Sequence, residues 1–223
     1  MLHGDAAHHV GRALRAEPGQ LYELSDGQAV WLGRIERVSR SAVEFALLER
    51  LPGGPPRLRQ VLLLAIVKFD RFEWALEKAT ELGVAEIVPL AAARSEKPLL
   101  AAATKRAARW KKILLGSAQQ SRRLQPPLLH APVRPREAFR QADAVVKILL
   151  SERPGVLSLR AALGEKGGAS VALAVGPEGG WTEEEFAAAR EAAFGEVSLG
   201  TGVLRTETAV TAALASLNYA LGQ

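Results

Sequence analysis

The sequence predicts an α/β protein: a mostly parallel sheet covered by helices on both faces, preceded by a smaller β-rich unit. Three observations carry this. From Val61 onward strand-like and helix-like segments alternate, which is the rhythm of parallel strands joined by crossover helices. Ser170-Val-Ala-Leu-Ala-Val175 is a short apolar run bounded by glycines, as expected of a strand buried on both faces. Before Val61 the pattern is one of strands and turns, and Leu51-Pro-Gly-Gly-Pro-Pro56 reads as a linker, so the expected domains are 1–56 and 57–223.

In the first unit, residues 8–15 are expected to be helical. Segments 21–24, 29–38 and 42–48 are expected strands, parted by the turn signals Ser25-Asp26-Gly27 and Ser39-Arg40-Ser41. In the second unit, 61–67 is a strand and 70–82 a helix, with Asp70 as its cap, Glu73 in the capping-box position and Gly83 as the stop. Strand 85–90 follows, then a long helix over 104–121, a strand over 144–150 and a short helix over 158–163. After the strand at Ser170, Gly176-Pro-Glu-Gly-Gly180 forms a loop. Thr182 with Glu185 makes a capping box, and the acidic first turn suits the positive end of the helix dipole. A strand at 197–199 leads into a second loop, Gly200-Thr-Gly-Val-Leu-Arg205. Thr206 then opens a closing helix whose buried stripe is Val210, Leu214, Leu217 and Leu221.

Composition bounds the function. At 223 residues and 48% hydrophobic, the chain can bury a full core. No apolar run approaches the roughly 20 residues of a membrane span, and Met1-Leu-His-Gly-Asp lacks the basic-then-apolar pattern of a secretory signal. With no cysteine there is no disulfide or thiolate site, and a cytoplasmic location is expected. The four histidines show no ligand spacing, so no metal is expected. The net charge of +5 is unevenly spread: from Lys97 to Arg136 there are ten basic residues and no acid. Such a block is an electrostatic footprint for phosphates, or else a solvated helix face.

Two glycine loops, each leaving a strand and feeding a helix, are expected at the carboxyl edge of the sheet, where open α/β folds bind their ligands. Neither loop is Gly-x-Gly-x-x-Gly, and neither carries Gly-Lys-Ser/Thr, which argues against a nucleotide di- or triphosphate. Gly176-Pro-Glu-Gly-Gly180 with Thr182 and Glu184-Glu185, then Leu199-Gly200, then Leu204-Arg-Thr-Glu-Thr-Ala209, resembles the RsmE family of SPOUT methyltransferases. Lys68-x-Asp70-Arg71-x-Glu73-Trp74, Lys78, Glu81-Leu-Gly-Val84, Arg94-Ser95 and Arg109-Trp110-x-x-Ile113 are similar to further blocks of that family. His9-x-Gly-Arg12-x-Leu-Arg15 is similar to its opening motif. The likeness departs at Gln119-Gln-Ser-Arg-Arg123, where the family has Glu-Gln-Cys/Ser-Gly-Arg; Gln119 replaces the glutamate and Arg122 the glycine.

The resemblance implies a SPOUT-type sheet with a carboxyl-terminal trefoil knot, a PUA-like amino-terminal barrel and a homodimer. It also implies S-adenosylmethionine as cofactor and methylation of uridine N3 in 16S ribosomal RNA, on the RNA or the small ribosomal subunit. Cofactor residues are then Val175, Gly176, Glu178, Gly179, Gly180, Leu199, Gly200, Leu204 and Thr206, because main-chain groups of bent glycine loops read adenine well. Arg205 is the expected catalytic cation, stabilising charge on O2 or O4 of the uracil, and Glu207 orders Arg205 or accepts a proton. Arg12, Arg15, Lys68, Arg71, Arg94, Arg109 and Arg123 are expected to face RNA. The competing readings are a non-catalytic RNA-binding or ribosome-assembly protein of the same fold, and a SPOUT enzyme acting on another base or on ribose.

Overall fold

The computed structural model describes residues 1–8, 11, 15–39, 41–52, 58–163 and 170–222. The chain divides into two compact units, Met1–Pro55 and Pro56–Gln223.

The first unit holds β1 (Leu2–His3), α1 (Gly4–His8), β2 (Leu21–Ser25), β3 (Val30–Val38) and β4 (Ala42–Leu51). Its strands form an antiparallel sheet in the order β1-β4-β3-β2. Asp26 builds the β2–β3 turn, its Oδ1 accepting from the N–H groups of Gln28 and Ala29, both at 2.8 Å. Ile35, Val43, Ala7 and Ala16 form the small core. The helix expected over 8–15 falls largely outside the described residues, and α1 precedes it.

The second unit runs β5 (Arg59–Ala65), α2 (Phe69–Glu81), β6 (Glu86–Leu90), α3 (Lys97–Gln120), β7 (Leu128–Leu129), α4 (Pro135–Gln141), β8 (Val146–Leu150), β9 (Leu157–Ser158), α5 (Leu159–Leu163), β10 (Ser170–Val175), α6 (Glu183–Glu191), β11 (Gly195–Ser198) and α7 (Thr206–Leu221). The seven strands lie in the order β7-β6-β5-β10-β8-β11-β9, and every pairing is parallel. All crossover loops leaving strand carboxyl ends therefore open on one edge. Side chains of β10 alternate between two cores: Val171, Leu173 and Val175 join Phe72, Trp110 and Leu214 on one face, while Ala172 and Ala174 join Phe139, Trp181 and Phe186 on the other. Burial on both faces is what the continuous apolar run requires.

Some boundaries move. The cap of α2 is Lys68, with no side-chain cap bond; Asp70 already lies inside the helix. Glu73, expected in a capping box, instead accepts from Arg109 Nε at 2.8 Å and Arg106 Nη1 at 3.3 Å. Tertiary ion pairing thus overrides the local signal. Helix α3 starts at Lys97 rather than 104, its first turn holding Pro98, which suits a position whose N–H is unpaired in any case. Among the described residues no helix is long and apolar enough to cross a membrane.

Candidate functional site

The first glycine loop leaves β10 at buried Val175 and turns tightly, Gly180 N–H donating to Pro177 O at 2.8 Å with Gly180 at φ +69°. A Cβ on Gly176 would stand 3.0 Å from the Trp181 indole. That ring is buried beneath the loop and donates from Nε1 to Leu150 O at 3.0 Å. The expected capping box is present: Thr182 Oγ1 accepts from Glu185 N, and Glu185 Oε2 accepts from Thr182 N at 2.8 Å. The second oxygen of Glu185 accepts from Ala93 N at 2.8 Å, so this carboxylate, only 8% exposed, ties the β6–α3 loop to the glycine loop.

The second loop leaves β11 at Ser198, whose hydroxyl donates to Gly200 O at 2.9 Å; Gly200 has φ +140°, a region L side chains rarely enter. Leu199 is half-buried against the core. Val203 and Leu204 are 77% and 37% exposed, an unusual display of apolar surface in one loop. Among the described residues, the N–H groups of Thr201, Gly202, Val203 and Leu204 have no hydrogen-bond partner. Arg205 caps α7 with its backbone, is exposed and has no side-chain partner there. Thr206 is buried, and its Oγ1 donates to Gly176 O at 3.2 Å. This bond pins the start of α7 onto the first loop and brings the two glycine loops together.

Charged groups gather beside the first loop. Arg71 Nη1 donates to Glu178 Oε1 at 2.8 Å, and its Nε stands 4.0 Å from Glu207 Oε1. Glu207 Oε2 is buried without a hydrogen-bond partner. Arg94 Nη1 donates to Gly179 O at 2.7 Å. Arg71, Arg94 and Lys68 also line a cleft of about 310 Å³ with Ile66, Val67, Ser95, Glu96, Leu99, Glu178 and Gly179. Glu207 therefore faces Arg71 rather than ordering Arg205.

The remaining basic candidates lie elsewhere. Arg109 is 63% exposed on α3, and its pairing with Glu73 holds its guanidinium above the ordinary arginine value. Arg123 donates from Nη1 to Thr80 O at 2.8 Å, and burial pushes it below the ordinary value, so it fastens the end of α3 to α2. Arg15 is exposed in the first unit, and Arg12 lies outside the described residues. Sequence reasoning does not foresee Ala93 or Trp181 as supports of the loop. Their contacts are long-range and leave no local pattern. Among the described residues no group of three potential ligands could hold a metal ion.

The class follows from a comparison: residues 55–218 match the family model described as an RNA methyltransferase domain. Ribosomal RNA small subunit methyltransferase E of Synechocystis is 32% identical over 218 residues, covering 96% of this chain and 71% of its own. The Bacillus subtilis protein of that name is 30% identical, with 97% and 88% covered. The crystal structure of a ribosomal RNA small subunit methyltransferase E from Neisseria gonorrhoeae, bound to S-adenosyl methionine, superposes with a TM-score of 0.87 at 31% identity, covering 98% of this chain and 90% of that one. The chain belongs to the ribosomal RNA small subunit methyltransferase E family.

Proposed function

We propose that this protein transfers a methyl group from S-adenosylmethionine to N3 of a uridine in small-subunit ribosomal RNA, as a homodimer whose carboxyl-terminal half is knotted. The observation that carries the reading is the Thr206–Gly176 bond, which closes the two glycine loops around one site. The residues fit the cofactor. Unpaired N–H groups over Thr201–Leu204 suit the polar edge of an adenine, and exposed Val203 and Leu204 suit its faces. At Gly200 an added Cβ would meet nothing within 4 Å, so that side of the loop has room. The relative from Neisseria gonorrhoeae, which carries S-adenosyl methionine, supports the assignment.

When bound, the sulfonium supplies an electrophilic methyl carbon; the chain's task is to position the nucleophile and favour its anion. Uracil N3 is a poor nucleophile while protonated. Arg205 holds the negative charge on O2 or O4; its exposure at the mouth of the second loop and its lack of a partner support that role. Glu207, one residue into α7 and steadied by Arg71, is the carboxylate nearest that start and serves as the proton acceptor. After β11 the chain returns past β8 to seat Thr206 on the loop following β10, and this crossing supports a knotted path. Calorimetry with S-adenosylhomocysteine tests the reading: about one site per chain is expected, whereas absence of binding would leave an RNA-binding or assembly role.

A further inference from the structure

We infer that the cleft between the β5–α2 and β6–α3 loops is a phosphate site, which grips the RNA strand beside the cofactor loop; the inference rests on the methyltransferase reading. Three cationic side chains reach it from two segments: Lys68 and Arg71 at the start of α2, and Arg94 before α3. Lys68 is exposed and has no side-chain partner among the described residues. Two helices begin on this cleft, α2 with Lys68 as its cap residue and α3 with Glu96, and neither is closed by a side-chain cap bond. The unpaired N–H groups of the first turn of α2, that of Lys97 and the positive ends of two helix dipoles therefore add to the cations, although Pro98 has no N–H and Leu99 N–H donates to Glu96 O at 3.0 Å. Ser95 on the wall has a buried hydroxyl without a partner, so turning it toward a ligand would break no bond.

The negative groups on the lining are Glu96 and Glu178. Arg71 already pairs with Glu178 and stands 4.0 Å from Glu207, so Lys68 and Arg94 are the cations chiefly open to a phosphate. The Glu178 side chain is 43% exposed, so water screens its pair with Arg71 and a phosphate can exchange with that carboxylate at small cost. Arg94 reaches the site while its Nη1 holds Gly179 O, leaving further N–H donors on the guanidinium.

Two anions of the reaction could use such a cleft: a phosphodiester of the RNA and the methionyl carboxylate of the cofactor. The fold favours the phosphodiester. The cleft opens over β6 and β5, while the unpaired apolar loop assigned to the cofactor leaves β11, on the other side of β10.

The test compares the full chain with Lys68→Gln and Ser95→Ala, measuring binding to small-subunit ribosomal RNA over a salt series with S-adenosylhomocysteine present. Loss of one phosphate contact should lower RNA affinity several-fold for Lys68→Gln and make the slope of log affinity against log salt shallower by about 0.7. Ser95→Ala should weaken RNA binding about two- to fivefold, within the range for one neutral hydrogen bond. Affinity for S-adenosylhomocysteine should stay unchanged in both. An unaltered RNA affinity and slope would overturn the proposal while leaving methyl transfer intact. Weakened S-adenosylhomocysteine binding with normal binding of 5′-methylthioadenosine, which lacks the carboxylate, would also overturn it, by assigning the cleft to the cofactor. Failure of the unmodified protein to bind S-adenosylhomocysteine would count against the methyltransferase reading instead.

Discussion

Arg205 is the residue on which the chemistry is expected to turn. It stands exposed at the backbone cap of α7, on the loop whose N–H groups are unpaired, and makes no competing ion pair. A charge that acts on a developing anion contributes to the transition state more than to ground-state binding. Replacing Arg205 by Ala should lower single-turnover methylation by a factor on the order of 10²–10³, with S-adenosylhomocysteine affinity nearly unchanged and Lys restoring only part. Near-normal turnover would remove it from the mechanism. Arg122 shows a different residue-scale effect. Its backbone sits at φ +56°, the left-handed region that side chains disfavour. Arg122→Gly should therefore be more stable than Arg122→Ala by about 1 kcal/mol in urea unfolding, since both lose the arginine's contacts and only glycine relieves the strain; equal stabilities would contradict it. The residue types at both positions are legible in the sequence. Their partners are not. Proximity in sequence pairs Glu207 with Arg205, yet Glu207 faces Arg71, 136 positions earlier, through a contact that only the packing of α7 near α2 creates.

At the scale of elements, the two glycine loops are legible because each combines an apolar strand, glycines and a helix start. The capping box of α6 forms as expected since Thr182 and Glu185 are local to one another. The box expected for α2 fails because Glu73 is drawn to Arg106 and Arg109 on α3. That pairing also qualifies the basic block: its acid-free run in sequence acquires an acid in space. Short elements such as β7, β9 and α4 carry too few residues to show a period. The second loop can be tested directly at Gly200. With φ +140° and open space around its Cβ position, a valine there would be opposed by backbone strain rather than by a clash. A strain of roughly 1–3 kcal/mol should reshape the loop and weaken S-adenosylhomocysteine binding by about tenfold or more. Unchanged affinity in a folded variant would place the cofactor elsewhere.

At the scale of the whole molecule, the division into a β-rich unit and a parallel α/β unit follows from a change of rhythm that the sequence displays openly, with Pro and Gly at the junction. Strand order does not: nothing local says that β10 lies beside β5, 105 residues apart at Ala65 and Ser170, and that pairing is set by burial of both faces. Assembly is read from surface. On α7, Ala215, Ser216 and Tyr219 are exposed, the last at 84%, which suits close packing of small residues against a second copy. Sedimentation at micromolar concentration should show a dimer; a fully active species with the mass of one chain would contradict it. The two converging loops are proposed to deliver a methyl group to N3 of a uridine. The most direct test is incubation of the protein with unmodified small ribosomal subunits and methyl-labelled S-adenosylmethionine, followed by mass spectrometry of the digested nucleosides. Label is expected in 3-methyluridine, close to one per subunit and lost in Arg205→Ala. Label in a ribose or another base, or no transfer by a protein that binds the subunit, would contradict it.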